Sequence, residues 1–378
     1  MNKMICRDRT FGYDRKFLEE HVETIFLENR ESRLILSPEL QSRVMTSSAA
    51  GDTGYSFGWI NYDLIESGKR LKHCNNFGGE DRYWIGPEGG QFSIFFNPGD
   101  PFDFEHWQTP SPIDSEEWEI TRRSNSSVNM RKDMSLHNYS GNKFELTADR
   151  EIKLMGIEEI EYEFDEKFPK GLSVVGFNSI NKMTNKGDYE WNRETGMLSI
   201  WVLSQLIPSG KNTVIIPVKR SYNSEYINDS YFGKIDQKRI RFLDRSILFR
   251  ADGKKRGKIG ISPKVALPVL GSYDSQNSVL TLVKFSLDET KEDYVNSGWI
   301  IQKEPFKGDV INSYNDGPLP NGEIMGPFYE IETSSAAAEL KPGESILHKH
   351  SILHIMGKRD ELEEILSKTL NVDPKDLF

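Results

Sequence analysis

Two carboxylates, Glu330 and Glu332, stand two residues apart in the segment "GPFYEIETSS". Side chains on a β-strand alternate between its two faces, so residues two apart share a face. Paired carboxylates raise the pKa of one of the two, which can give a general base or acid near neutral pH. We therefore treat both as candidate catalytic residues, with a pair that points into solvent as the alternative.

A second candidate site lies in "HCNNFGGEDRYWIGPEGGQFSIFF", residues 73–96. Carboxylates and Arg bind sugar hydroxyls, and the flat face of Trp suits the C–H side of a pyranose. The candidate binding residues here are Glu80, Arg82, Trp84 and Glu88. Alternatively, Arg82 pairs with Glu80 or Glu88 to hold a tight corner, and Trp84 belongs to the core.

A third segment, "VGFNSINKMTNKGDYEWNRETGMLSIWVL", repeats this combination of amides and indoles. Asn178 and Trp191 are its candidate binding residues, because such side chains suit a polyhydroxylated ligand. Asn is also common in ordinary turns, which is the alternative interpretation.

Three histidines, His348, His350 and His354, occur in "LHKHSILH" with the same strand parity. On an unbroken strand they share a face, where they could bind a divalent metal. No nearby carboxylate or thiol completes a tetrahedral set, so we expect no metal and no other cofactor. The other interpretation is that one of them, foremost His350, has a catalytic or sugar-binding role.

Short alternating segments between turn residues, with 30 Gly and 11% aromatic residues, predict an all-β protein with few helices. Among the predicted strands are residues 91–96 ("QFSIFF") and 157–164 ("IEEIEYEF"). Helices are predicted at about residues 14–24, with Asp14 as N-cap, and at about 359–370, covering the sheets. We expect residues 1–378 to form one domain, since all-β domains can be this large.

The charge balance of 48 basic and 58 acidic residues gives a net charge of -10, which argues against binding nucleic acid. The one basic run, residues 252–258 ("DGKKRGK"), is predicted to be a solvated hairpin loop. No apolar run reaches the about 18 to 20 residues that span a membrane, and no signal peptide is recognised. We expect a cytoplasmic protein, or an exported one whose signal was removed.

The two cysteines, Cys6 and Cys74, fit no metal or redox spacing. No motif predicts an oligomeric state.

The order of three motifs resembles a family of uncharacterised bacterial proteins with a galactose mutarotase-like β-supersandwich. The motifs are "GGEDRYWIGPEGGQFSIFF", then "N..TN.GDYEW...TG..SIW", then "GPFYEIETSSAAAELKPGES". The resemblance extends over most of the chain. It implies large antiparallel sheets with a few short peripheral helices, and a superfamily that includes aldose 1-epimerases and domains of polysaccharide lyases and glycoside hydrolases.

In aldose epimerases, a Glu on a late strand takes the proton of the anomeric hydroxyl, and a His protonates the ring oxygen. The resemblance assigns the first role to Glu330, with Glu332 as the other candidate, and makes Asn76 and Arg82 sugar contacts. The "HSYFNL"-like motif of epimerases is replaced by "GFNSINKMTN", which has no His. The acid is then one of the three late histidines or Glu88, or the protein has no such acid.

The leading hypothesis is a protein that binds a carbohydrate ligand on the concave face of the sandwich, as an aldose epimerase with Glu330 as base. A carbohydrate-binding protein without catalysis is the first alternative. A glycan lyase or hydrolase, which needs a further acid or a metal, is the second.

Overall fold

A computed structural model describes residues 10–319 and 322–378, so Cys6 lies outside the described residues. The strands are β1 (Ile25–Asn29), β2 (Ser32–Ser37), β3 (Arg43–Ser48), β4 (Arg82–Gly86), β5 (Glu119–Arg123), β6 (Ser127–His137), β7 (Lys143–Leu154), β8 (Ser173–Asn185), β9 (Ser199–Leu206), β10 (Asn212–Pro217), β11 (Ile227–Asn228), β12 (Ile240–Phe242), β13 (Ser246–Arg250), β14 (Gly257–Ile261), β15 (Val269–Asp274), β16 (Val279–Phe285), β17 (Ile311–Asn315), β18 (Tyr329–Ser334) and β19 (Ser345–Met356). The α-helices are α1 (Phe11–His21), α2 (Tyr62–Glu66), α3 (Ile157–Phe164) and α4 (Arg359–Leu370). Short 3-10 helices cover Gly51–Thr53, Ser111–Ile113, Ser224–Tyr226 and Pro374–Asp376.

The strands form three antiparallel sheets, which confirms the predicted all-β architecture with few helices. The ten-stranded sheet has the order β12-β13-β10-β15-β16-β19-β8-β7-β6-β5, and the six-stranded sheet has the order β11-β14-β17-β18-β9-β4. A small sheet of β1, β2 and β3 completes the set. Within residues 10–319 and 322–378, no helix has the length and apolar character needed to cross a membrane.

The two large sheets pack face to face, and this packing decides which side chains are free for function. Ile331 on β18 and Ile352 on β19 belong to the same buried hydrophobic cluster. Thr333, two residues after Ile331, hydrogen-bonds to histidines of β19. Because side chains alternate along a strand, the residues between them, including Glu332, point away from the ten-stranded sheet. The opposite face of the six-stranded sheet is therefore the place where a polar site can form.

Helix α1 begins earlier than predicted, because Thr10 rather than Asp14 is its N-cap. The Thr10 hydroxyl accepts the backbone N–H of Tyr13 at 3.4 Å. Asp14 is buried within the helix and accepts hydrogen bonds from the hydroxyls of Ser56 and Tyr62. Its carboxylate thus ties α1 to the next segment of the chain instead of capping the helix. At the other end of the chain, α4 buries four apolar residues against the ten-stranded sheet.

Two of the predicted strands are wrong. Residues 157–164 form helix α3, in which Ile160 and Phe164 are buried and the Glu159 carboxylate accepts the backbone N–H of Gly156 at 3.0 Å. The apolar residues of this segment fit the two-residue period of a strand and also the 3.6-residue period of a helix. The helix forms because it buries its apolar face against the rest of the protein. Residues 91–96 contain no strand, and Phe95 and Phe96 are buried among other aromatic rings.

The basic run 252–258 is not a hairpin loop. It connects β13 of the ten-stranded sheet to β14 of the six-stranded sheet. Its last residue, Lys258, lies within β14, and its side chain is only 11% exposed. Because this connection runs from one packed sheet to the other, its last residues join a strand of the six-stranded sheet. Lys258 therefore lies in the candidate site.

Candidate active site

The candidate site is the polar face of the six-stranded sheet, centred on strand β18. Glu332 is fully buried, and its carboxylate accepts hydrogen bonds from the Trp201 indole N–H at 3.0 Å and from the Lys258 ammonium at 2.8 Å. Glu330 is partly exposed and accepts the side-chain amide of Gln205 at 2.9 Å. The two carboxylates therefore share one face, as the strand alternation predicts, but have different partners.

Lys258 is the central positive charge of this face. Burial acts against its ammonium, but the carboxylates of Glu332, Glu88 and Glu330 outweigh burial and raise its pKa. Its Nζ atom also lies 4.8 Å from the centre of the Trp201 ring, which is a favourable cation–π distance. Lys258 is therefore a fixed cation that compensates the charge of Glu332.

The carboxyl groups of Glu330 and Glu88 on this face have pKa values raised into the neutral range. Burial, followed by repulsion from Glu332, raises the pKa of Glu330 to about 8, although Lys258 opposes this shift. Burial also raises the pKa of Glu88 to about 7, again with Lys258 acting in the opposite direction. Glu88 and Glu330 both interact electrostatically with the Lys258–Glu332 pair, so two exchangeable protons surround one fixed ion pair.

Arg82 and Trp84, on the edge strand β4, border this face. The Arg82 guanidinium donates to Asp114 at 2.9 Å and lies 4.1 Å from the centre of the Trp84 ring. The predicted alternative of an ion pair between Arg82 and Glu80 or Glu88 is therefore wrong, because Asp114 takes that place. The other part of that alternative is right, because Trp84 belongs to the main buried hydrophobic cluster. Trp84 packs edge-to-face on Trp201 with ring centres 5.1 Å apart, which joins β4 to the middle of the site.

The paired glycines of residues 73–96 allow close backbone contacts next to the site. A side chain at Gly78, whose φ is +90°, would come within 2.1 Å of the Trp59 carbonyl oxygen. A side chain at Gly89 would come within 2.5 Å of the Gly298 carbonyl oxygen. Because Gly89 has no side chain, the turn that carries Glu88 can lie directly against the segment 295–302.

Four buried polar atoms on this face have no hydrogen-bond partner in the protein. Two are donors, the Nε1 atom of Trp84 and the Nε atom of Arg82, and two are acceptors, the Oε1 atoms of Gln205 and Glu332. All four side chains are at most 6% exposed. Buried polar groups are nearly always satisfied, so these four atoms are places where bound water or a ligand would complete the hydrogen bonding. Unpartnered buried atoms also occur away from this face, as at Arg43 and Arg150, so they do not by themselves mark a ligand site.

Of the predicted site residues, the structure brings six to this face. Asn76 joins the carboxylates because its side-chain oxygen accepts the Gln205 amide at 2.8 Å. The six residues are Asn76, Arg82, Trp84, Glu88, Glu330 and Glu332.

Three predicted binding residues lie elsewhere. Glu80 is buried between the sheets, where it accepts hydrogen bonds from Ser47 at 2.6 Å and is 2.6 Å from a nitrogen of His354. Asn178 faces away from the six-stranded sheet and accepts the Ser351 hydroxyl at 2.7 Å. Trp191 is fully buried against Phe144, with ring centres 5.2 Å apart. None of the three can reach a ligand on the Glu330 face, because a sheet or the core separates them.

The late histidines also lie on the wrong side of the six-stranded sheet. His348 and His350 both hydrogen-bond to the Thr333 hydroxyl at 2.8 Å, whereas Thr333 points away from the Glu330 face. Burial lowers the pKa of His348 to about 3 and holds that of His350 well below its usual range. The prediction of His350 as a catalytic residue is therefore wrong, because this histidine is a neutral residue between the sheets. In the described part of the chain, no three His, Cys, Asp or Glu side chains lie where they could hold a metal ion together.

Sequence reasoning missed several residues of the site. Lys258 was hidden in a basic run, although the alternation in "GKIGI" is a strand signal that places it on one face with Gly260. Tyr231 donates to Asp309 at 2.5 Å, and its ring lies 5.7 Å from the Lys258 Nζ atom. Burial raises the pKa of Asp309 to about 6. Asp309 and Tyr231 come from loops, and no local pattern predicts their position.

Comparisons with solved structures confirm the fold. The Slr1438 protein of Synechocystis sp. PCC 6803 is 14% identical and has a TM-score of 0.54, with 89% of this chain and 96% of that chain covered. The "putative aldose 1-epimerase" of Escherichia coli K12 is 10% identical and has a TM-score of 0.52, with 89% of this chain and 99% of that chain covered. These likenesses show a galactose mutarotase-like supersandwich, as the motifs predicted. No curated protein matches the sequence.

A family model covers nearly the whole chain. It matches residues 9–377 and is described as a family of unknown function. The family resemblance that the three motifs predicted is therefore confirmed by a family model as well as by the fold. The chain belongs to this family of unknown function, DUF6786.

Proposed function

We propose that this protein binds a sugar on the polar face of the six-stranded sheet and interconverts its anomers by acid–base catalysis. The observation that carries the proposal is the set of four buried, unpartnered polar atoms beside two carboxyl groups with neutral-range pKa values. A sugar hydroxyl is both donor and acceptor, so it can satisfy both kinds of unpartnered atom. The likeness in fold to a protein described as a putative aldose 1-epimerase agrees with this proposal.

In the proposed reaction, the ionised Glu330 carboxylate takes the proton of the anomeric hydroxyl. The bond between the anomeric carbon and the ring oxygen breaks, and the ring oxygen takes a proton from the Glu88 carboxylic acid. This gives the open-chain aldehyde, and the reverse steps close the ring on either face of its carbonyl. Lys258 neutralises Glu332 and stabilises negative charge that develops between the two carboxyl groups.

Arg82, Trp84, Gln205 and Asn76 bind and orient the sugar in this proposal. The indole of Trp84 offers its N–H to a hydroxyl, and Arg82 offers its unpartnered Nε–H. Gln205 already contacts both Asn76 and Glu330, at 2.8 and 2.9 Å, so it links binding to the proton acceptor. The amide would hold the Glu330 carboxylate in one orientation while the sugar is bound.

Replacing Glu330 with Gln is expected to slow the catalysed exchange between anomers at least about a hundredfold, because the amide cannot accept the proton. The measurement is NMR exchange between α and β anomer signals of free glucose, galactose, mannose and xylose. Saturation-transfer signals of the same sugars should persist, since the amide keeps the shape of the side chain. Glu364→Gln, an exposed position on helix α4, is the matched control and should exchange anomers at the wild-type rate.

A sugar-binding protein without catalysis is the second candidate. One ground for it is that the His motif of epimerases is replaced in this sequence. The other is that, within the described residues, no histidine hydrogen-bonds to Glu330, Glu332 or Glu88. Saturation transfer without faster anomer exchange in the wild type would select this candidate. Equal exchange in wild type and Glu330→Gln would contradict the proposed role of Glu330.

A further inference from the structure

We propose that the ligand is an anionic sugar, a sugar phosphate or a uronic acid, whose phosphate or carboxylate group binds the guanidinium of Arg256. This inference rests on the proposed function and deepens it by naming the charge of the ligand. The two anionic groups share one chemistry, because each presents a pair of oxygens to the paired N–H groups of an arginine. Either group at the primary-hydroxyl end of a sugar leaves the anomeric hydroxyl available for the proposed reaction.

Arg256 lies at the edge of the candidate site, directly before strand β14. The pairing of the strands places Tyr314 on β17 opposite Lys258 on one side and opposite Glu330 on the other. Directly opposed residues of antiparallel strands point to the same face, so Tyr314 lies between these two residues of the site. The Nε–H group of Arg256 donates to the Tyr314 hydroxyl at 3.2 Å. Arg256 is therefore one side chain away from Lys258 and Glu330.

Two aromatic residues hold the Arg256 guanidinium in one orientation. Its central carbon lies 3.7 Å from the ring centre of Phe232, which is a close cation–π contact, and 6.0 Å from that of Tyr314. The Tyr314 hydroxyl that accepts the Arg256 Nε–H donates in turn to Asp316 at 2.9 Å. Within the described residues, the two terminal amino groups of Arg256 have no hydrogen-bond acceptor. The protein thus orients the paired donors that an anion needs, and this part of the chain does not use them.

The carboxyl groups near Arg256 do not neutralise its charge by direct contact. In the part of the chain that the structure describes, no carboxylate forms an ion pair with its guanidinium. Glu332 is paired with Lys258, and Asp316 contacts the intervening hydroxyl instead of the guanidinium. Burial raises the pKa of Glu330 to about 8, so this carboxyl group is mostly uncharged at neutral pH. A partly exposed arginine in such surroundings favours a ligand of opposite charge.

Affinity for matched neutral and anionic sugars tests the inference. The probes are glucose, galactose and mannose, each with its phosphate ester at the primary hydroxyl group and its uronic acid, titrated calorimetrically at neutral pH. At least one anionic sugar is expected to bind about tenfold more tightly than its neutral parent, which is the gain that hydrogen bonds to a charged group can supply. A gain for the phosphate esters alone would identify a sugar phosphate, and a gain for the uronic acids alone would identify a uronic acid. Arg256→Gln should remove most of the gain, and Arg256→Lys should keep only part of it, because lysine lacks the planar pair of donors.

The control is Arg122→Gln, which removes an exposed arginine on the edge strand β5 and should leave the gain unchanged. In the wild type, the gain should also shrink at high ionic strength, which is a readout that needs no variant to fold. Faster anomer exchange with equal affinities for neutral and anionic sugars would overturn the anion inference while leaving the proposed function intact. A gain that survives in Arg256→Gln would overturn the role of Arg256, and no binding of any probe would overturn both proposals.

Discussion

Replacing Lys258 with Met is expected to lower the free energy of unfolding by about 3 to 5 kcal/mol. The Lys258 ammonium is the charge partner of Glu332, which is fully buried and 2.8 Å away. Without it, Glu332 must stay buried as an uncompensated charge or take up a proton, and either costs free energy. Urea unfolding at neutral pH, followed by tryptophan fluorescence, measures the change.

The double variant Lys258→Met/Glu332→Gln should recover most of this loss, because it removes both charges together. Lys307→Met is the matched control, since Lys307 forms an exposed ion pair with Glu304 at 3.0 Å. Exposed pairs contribute little, so the control should unfold like the wild type. If Lys258→Met were as stable as the control, Glu332 would not be held as a buried anion, and the electrostatic basis of the site would fail.

The second large effect concerns His348 and His350, which should destabilise the folded state as the pH falls below about 6.5. Burial lowers the pKa of His348 to about 3 and that of His350 well below its usual range, so both stay neutral when folded. The unfolded chain binds these protons near pH 6.5 and is therefore favoured by acid. Each buried His then contributes a loss of about 1.4 kcal/mol for every pH unit below that value.

The raised pKa values of Glu330 and Glu88 act in the opposite direction, because these groups bind protons more readily in the folded protein. The histidine effect must therefore be measured as a difference between variants. Between pH 7.5 and pH 4.5, the free energy of unfolding of His348→Gln should rise relative to wild type by about 2.7 kcal/mol. His137→Gln, at an exposed position, should show no such change. A pH-independent difference for His348→Gln would mean that this histidine has the same pKa in the folded and the unfolded protein, which would contradict its burial as a neutral residue.

Strand alternation and turn composition were enough to predict an all-β protein, because they report directly which face of a strand is buried, whereas the large antiparallel sheets were implied by the family resemblance. They failed at α3, where the apolar residues also fit a helix and only tertiary packing selects one form. They also failed at residues 91–96, where aromatic side chains fill a core without strand pairing. In both segments the deciding contacts come from residues distant in sequence.

The candidate site was predicted only in part, for the same reason. Glu330 and Glu332 were found because parity along one strand places them together. His350 was misplaced because parity alone does not say which face of a sheet is the buried one. Lys258 and Asp309 reach the site from other strands and loops, and their relation to Glu332 and Tyr231 exists only in the folded chain.

The most direct test of the central claim is the pH dependence of kcat/KM for anomer exchange, after subtraction of the uncatalysed rate. Catalysis requires ionised Glu330 together with protonated Glu88, whose pKa values are about 8 and about 7. Because the base has the higher pKa of the two, the reactive protonation state is a minority of the protein at every pH and is most populated between the two values. The profile should therefore be bell-shaped, with limbs near these two values and a maximum about midway between them. The Glu330→Gln variant should show no such bell. Acceleration that is independent of pH, or the same bell in Glu330→Gln, would contradict the account.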